Sequence, residues 1–363
     1  MSGRIARIVC TASLAAAALT APPPAGAAAD PVADRPPVSE LLTRMRTLYV
    51  QAEEATEAYN ATEERLRAER KRSGRLDREL RRARGDLAAG RATAGRIARE
   101  QYRDTVGLSA TVRSVLSGDP RRVSDRRHEL RRAADRQSLA VLRMERSERR
   151  ADRAAGRARA SLEKRRALTE RRKKQRDRVA GRLRAIERAL ASLSEDELRT
   201  LRQRERRQTA TAQRALVSAG TFRRAGRAPS QAGDRALRYA LQQIGKPYAW
   251  GAEGPDSFDC SGLTSQAWAH AGHPIPRTSQ EQWRKLPRVP LDQVRPGDLV
   301  VYYPKATHVA IYAGDGMVVQ APRPGSTVKV SPLASNPPIG AVRPDAGSPP
   351  LAGYVPPPPL KTV

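Results

Sequence analysis

The sequence predicts an α+β chain in two parts: a long all-α antiparallel coiled-coil hairpin, then a smaller domain built on an antiparallel sheet. Three observations carry this. From Ser39 to about Ala219 proline nearly vanishes, with only Pro120 interrupting, and Ala, Leu, Arg and Glu dominate; that composition makes long helices. Within it, Leu76, Leu80, Ala83, Leu87, Gly90, Ala94 and Ile97 alternate steps of four and three residues, and Leu183, Ile186, Leu190 and Leu193 do the same. Apolar or small residues at that period form a coiled-coil seam. From residue 299 onward, short apolar runs alternate with Gly- and Pro-containing turns, as paired strands require.

The elements follow in chain order. Arg4 and Arg7 precede an apolar stretch, Ile8 to Leu19, which Pro22, Pro23 and Pro24 end. With Ala27-Ala28-Ala29 behind it, this reads as a secretory signal peptide over 1–29; a retained anchor is the alternative. No other stretch offers about 18 consecutive apolar residues, so no membrane-spanning helix is expected. Residues 30–38 form a Pro-rich linker and 39–219 the hairpin. Its tip, about 107–123, carries Val112, Val115 and Leu116 before Gly118-Asp119-Pro120. Those apolar residues either cap the hairpin or form a docking surface. A linker over 220–233 leads to a domain over 234–345. There Asp234 is expected to cap a helix over 235–244, which Gly245 and Pro247 end. Strands are expected at 299–303, 309–312, 318–321, 328–331 and 339–343, with helices on one side of the sheet. Residues 346–363 form a Pro-rich tail, disordered or polyproline II.

Charge is lopsided. Lys and Arg number 68 against 38 Asp and Glu, a net charge of +30, and most of it falls in the hairpin. For an exported chain this points to anionic wall polymers or lipid headgroups, with a merely solvated helix face as the alternative. Nucleic acid is not expected, since aromatic residues for base stacking make up only 4% of the chain.

With Cys10 inside the signal peptide, Cys260 is the single cysteine of the exported chain. It stands before a helical run, Leu263 to Ala269, and a thiol at a helix N-terminus is biased toward thiolate. A small buried hydrophobe is the other reading. Of four histidines, His128 lies in the Arg-rich helix, and His270 and His273 lie too far along the Cys260 helix. His308 precedes an expected strand and can meet Cys260 as a base. The Asp315-Gly316 turn pairs this strand with 318–321 and brings Gln320 beside His308, where its amide oxygen can accept the ring N–H. One Cys without a histidine cluster builds no zinc site, so no metal or cofactor is expected.

Five motifs in order, Gly245-Lys246-Pro247-Tyr248-Ala249-Trp250-Gly251, Phe258-Asp259-Cys260-Ser261-Gly262-Leu263, Arg277-Thr278-Ser279-Gln280, Arg295-Pro296-Gly297-Asp298-Leu299-Val300 and His308-Val309-Ala310-Ile311-Tyr312, resemble the NlpC/P60 cysteine peptidases. The resemblance spans roughly 231–345. It implies a papain-like domain that cleaves peptidoglycan stem peptides, commonly between D-glutamate and the diamino acid. It implies Cys260 as nucleophile, His308 as general base and Gln320 as the orienting residue. It also implies substrate-binding positions at Tyr248, on the cleft rim, Asp259 and Ser261. Relatives often carry His at the third position; Gln orients the imidazole without charge. More weakly, the coil around Gln101 to Val123 resembles the regulatory region of division-associated hydrolases. That implies restraint of the peptidase and a membrane-bound, ABC-transporter-like partner at the tip. An acyltransferase or amidase of other specificity, or a scaffold or activator, remains the alternative.

Overall fold

The computed structural model describes residues 38–105, 112, 120–221 and 227–354. The expected signal peptide, most of the hairpin tip and the end of the Pro-rich tail lie outside them. Helix α1 (Val38–Thr105) and helix α2 (Pro120–Ala191) run side by side. Pro120 opens α2, a position where its missing N–H costs nothing. The cross-pairs Arg91–Glu148, Glu79–Arg157, Glu69–Lys164 and Glu63–Arg172 show that one chain rises as the other falls. The helices are therefore antiparallel. Their seam is narrow: Ala83, Ala151 and Ala154 are buried with Leu66 and Val179. Small side chains bring the backbones close but bury little apolar area per turn. Polar groups fill the rest. Buried Glu69 accepts from Ser161 Oγ at 2.7 Å and pairs with Lys164 Nζ at 3.1 Å.

The second arm is shorter than the composition predicts. It ends at Ala191, and helix α3 (Glu195–Ser218) starts afresh after Ser194. Ser194 and Glu197 form a reciprocal capping box, a strong start signal embedded in a run that otherwise reads as uninterrupted helix. α3 leaves the coil for the sheet. Gln213 donates to Gly316 O at 2.9 Å and accepts from Ala334 N at 3.0 Å. Glu205 takes Arg323 in two hydrogen bonds of 2.8 and 3.1 Å.

The sheet has six antiparallel strands in the order β1-β6-β2-β3-β4-β5. They are β1 (Arg288–Val289), β2 (Leu299–Tyr302), β3 (His308–Gly314), β4 (Met317–Gln320), β5 (Lys329–Pro332) and β6 (Pro338–Val342). Alternate residues of β2 and β3 enter two cores. Leu299, Val301, Val309 and Ile311 face helices α4 (Gln231–Gln242) and α5 (Cys260–His270). Val300, Tyr302, Ala310 and Tyr312 form a second core on which Leu216 of α3 packs. Helices thus cover both faces, not one as expected. The cap of α4 also differs: Ser230 Oγ accepts from Gly233 N at 2.8 Å, and Asp234 pairs with Arg238 instead. The early start seats Gly233 against Gly297 (φ 98°), where an added Cβ would lie 2.5 Å from Gly233 Cα.

Candidate active site

Asp259 caps α5, its Oδ1 accepting from Gly262 N at 2.7 Å. This places Cys260 at the first helical position. Gly262 is required there because a Cβ would stand 2.1 Å from Ala252 O. Arg277 precedes the short helix α6 (Ser279–Lys285). Its guanidinium reaches Asp259 Oδ1 at 3.1 Å, Asp259 Oδ2 at 2.8 Å and Ser261 Oγ at 2.8 Å. Asp259 is fully buried, and Gly251 N also donates to it at 2.9 Å.

α5 packs against β3, whose first residue is His308. Its Nε2 lies 2.7 Å from Gln320 Oε1, and Gln320 Nε2 in turn reaches Ser335 Oγ at 3.2 Å. An amide oxygen needs a donor, so Nε2 carries the proton and Nδ1 is left for other partners. The hairpin thus brings Gln320 to His308. Tyr248, expected on the cleft rim, lies beside Cys260 and Asp259 with α1 close over it. It is buried, and its phenol is held well above the ordinary range by burial and by the neighbouring Cys260, Asp259, Glu53 and Glu57.

Two of those neighbours belong to α1. Glu57 Oε1 accepts from Ser261 Oγ at 2.6 Å and lies 3.8 Å from Cys260 Sγ; its Oε2 accepts from Ser279 N at 3.1 Å. Glu53 Oε1 lies 3.1 Å from His308 Nδ1. Asn60 Nδ2 donates to Asp259 Oδ2 at 3.0 Å. Pairs at the margins, Lys305–Glu54 and Arg67–Glu253, and the edge-on Tyr59–Trp250 contact extend the interface. Cys260 and His308 are both buried beneath it. A cavity of about 140 Å³ persists between α1 and the domain beside Arg277.

The electrostatics follow from that closure. Burial, then Glu57, Asp259 and Glu53, push the Cys260 thiol well above its usual range, against a hydrogen bond from the Val309 backbone. The thiol is therefore neutral. Burial and then Asp259 push Glu57 up to about 7, over the opposing Ser261, Arg277 and Ser279 contacts. Burial pulls His308 down, but Glu53 and Gln320 outweigh it, and the net shift is upward. With Nε2–H given to Gln320, Nδ1 faces the Glu53 carboxylate, which favours a second proton on the ring. Among the described residues, no group of His, Cys, Asp and Glu could hold a metal.

Sequence reasoning did not find Glu53, Glu57, Asn60 or Arg277 as site residues. The three on α1 had a signal: they stand at i, i+4 and i+7, one helical face, buried and polar in a helix whose other buried stripe serves the seam.

With this geometry in place, comparison with known proteins is informative. Residues 245–340 match the NlpC/P60 family. A "Probable endopeptidase" of Corynebacterium glutamicum (strain R) is 42% identical over 111 residues, covering 31% of this chain and 53% of that protein. "Peptidoglycan endopeptidase RipA" of Mycolicibacterium smegmatis is 39% identical over 114 residues, covering 28% of this chain and 23% of RipA. The chain spans about half the length, or less, of these curated relatives. Among solved structures, the NlpC/p60 domain of peptidoglycan hydrolase SagA is similar at 33% identity. It covers 31% of this chain and 97% of that one, with a TM-score of 0.29.

Proposed function

We propose that the chain is an exported cysteine endopeptidase that cleaves peptidoglycan stem peptides at the cell wall and that α1 holds latent. The observation that carries this is Cys260 at the head of α5, hydrogen-bonded by the backbone of Val309, next in chain to His308, whose ring Gln320 fixes through Nε2 at 2.7 Å. Relatives named as peptidoglycan endopeptidases support the substrate.

Once α1 withdraws, His308 Nδ1 takes the Cys260 proton. The thiolate attacks a stem-peptide carbonyl, and its oxygen takes the charge. The Cys260 backbone N–H is the oxyanion donor, a group typically worth about 3 kcal/mol. The C–N bond breaks as imidazolium protonates the departing amine. Water, activated by His308, then hydrolyses the thioester and restores the thiol. The bond cut is that between D-glutamate and the diamino acid. The basic coil holds the enzyme to anionic wall polymers, and its tip receives a membrane-bound regulator related to ABC transporters.

The test is mass spectrometry of muropeptides incubated with the full chain and with a Glu53→Gln/Asn60→Asp variant, which sets a carboxylate against Asp259, with Cys260→Ala in that background as control. Products cut after D-glutamate, abundant only with the opened variant, are expected. No cleavage by an opened variant whose Cys260 reacts with an alkylating agent would overturn the reading.

A further inference from the structure

Gln320 orients His308 only while its own amide is held. Oε1 faces His308 Nε2, and Nε2 of the amide donates to Ser335 Oγ at 3.2 Å. Ser335 ends a single 3-10 turn (Leu333–Ser335) whose start has no side-chain cap. So short a turn has poor internal hydrogen bonds and depends on its neighbours. Leu333 N donates to Gly316 O at 2.8 Å. Further support comes from α3. Gln213 Oε1 accepts from Ala334 N at 3.0 Å, while its Nε2 donates to Gly316 O at 2.9 Å. One side chain thus ties the turn that bears Ser335 to the bend leading into β4, the strand that bears Gln320. Leu216, on the same face of α3, packs in the core that holds Leu333. Glu205 takes Arg323, just past Gln320, in two hydrogen bonds. These polar contacts of α3 bracket Gln320: Gly316 before it, Arg323 after it and Ala334 beside Ser335. A helix that only covered the apolar face would need Leu216 and none of them.

We propose that Ser335 and Gln213 are positioning residues of the peptidase: Gln213 holds the turn, Ser335 holds the Gln320 amide, and the amide holds the His308 ring. The inference rests on the peptidase reading and extends its working part upstream to α3, beyond the 245–340 that match the family. Both residues act through Gln320 rather than on the reacting atoms. An amide without its anchor can turn over. It then presents N–H to His308 Nε2, the ring proton moves to Nδ1, and Nδ1 can no longer take the proton of Cys260.

The experiment uses the full chain with Glu53→Gln/Asn60→Asp as the parent and follows muropeptide cleavage. Ser335→Ala and Gln213→Leu are each expected to lower kcat roughly three- to tenfold, the scale of one lost hydrogen bond, with KM little changed. Ser335→Thr, which keeps the hydroxyl, is expected to restore kcat. In a Gln320→Ala background the same two substitutions are expected to lower kcat no further, because the group they hold is gone. Arg199→Gln, which breaks an exposed pair inside α3, is expected to change nothing. A second readout needs no turnover: NMR of the His308 ring nitrogens in protein carrying isotope-labelled histidine, at a pH where the ring is neutral. The parent is expected to show a protonated Nε2 and an unprotonated Nδ1. Ser335→Ala and Gln213→Leu are expected to move the two signals toward each other, as exchange between tautomers requires. Should Gln213→Leu fail to fold, Ser335→Ala, which trims one half-buried hydroxyl, decides alone. Ring signals equal to the parent's, or a kcat loss that persists in full in the Gln320→Ala background, would overturn the proposal. Shifted ring signals in variants of a parent that cleaves no muropeptide would support the positioning chain and sink only the peptidase reading.

Discussion

Arg277 ties the cap of α5 to the face that meets substrate. It is nearly buried, and its partner Asp259 is completely so. Removing one member of such a pair leaves an uncompensated charge, at a cost of about 3–5 kcal/mol. Arg277→Met should therefore lower the denaturant midpoint markedly, and a midpoint unchanged from the parent would show that Asp259 does not depend on it. Catalysis divides differently. In an α1-opened background, Cys260→Ala should abolish muropeptide cleavage. His308→Ala should cost on the order of 10²–10⁴-fold, the usual worth of a positioned base. Gln320→Ala should cost less, because it orients the ring without touching substrate; a loss equal to that of His308→Ala would count against this division. Cys260, His308 and Gln320 were legible because each follows from local pattern: one cysteine, one strand-borne histidine and one Asp-Gly hairpin. Asp259 and Tyr248 were less so. Whether a polar residue faces substrate or the interior depends on what packs above it, and here that is a helix some 200 residues upstream.

At the scale of elements, α1 serves two partners with two faces. One face holds the seam. Leu66 is wholly buried in it, and Leu66→Ala should destabilise the coil by about 2–5 kcal/mol, read as a lower thermal midpoint of the helical signal. The other face is the latch, and it is linked to protons. Glu57 stands at about 7 in the closed state against 4.5 when free, so closure takes up a proton between those values. A group raised on closing favours the closed state fully below its free value, and that preference is lost as pH rises through the raised one. His308, also raised, acts in the same direction. Asp259, Arg277, Ser261 and Cys260 face Glu57, and Glu53 faces His308. The latch should thus loosen as pH rises through about 7. The ratio of parent to Glu57→Gln activity reads this, since it cancels the pH dependence of the chemistry. A ratio that falls with rising pH would contradict the sign.

For the whole molecule, the break at Ser192–Ser194 separates a coil that blocks the site from α3, which stays bonded to the sheet through Glu205–Arg323 and Gln213. The net charge of +30 acts at this scale as well. Binding to teichoic acid should be strong at low salt and largely lost by about 1 M, where screening extends only about 3 Å. Sedimentation with the polymer across a salt series checks it, and salt-independent binding would point to specific contacts.

The sequence by itself determined most of the elements and which reactive side chains they carry. Helical composition, strand alternation, a lone thiol and a paired histidine are encoded within short windows, where local propensity and period decide. The tertiary structure alone decided the rest: that α3 abandons the coil to cover a sheet face, that Arg277 joins Asp259 to Ser261, and that Glu53, Glu57 and Asn60 occupy the site. These depend on long-range contacts. A glutamate on a charged helix has the same local signal whether it meets water or a buried histidine, and only the packing of one domain against another distinguishes the two.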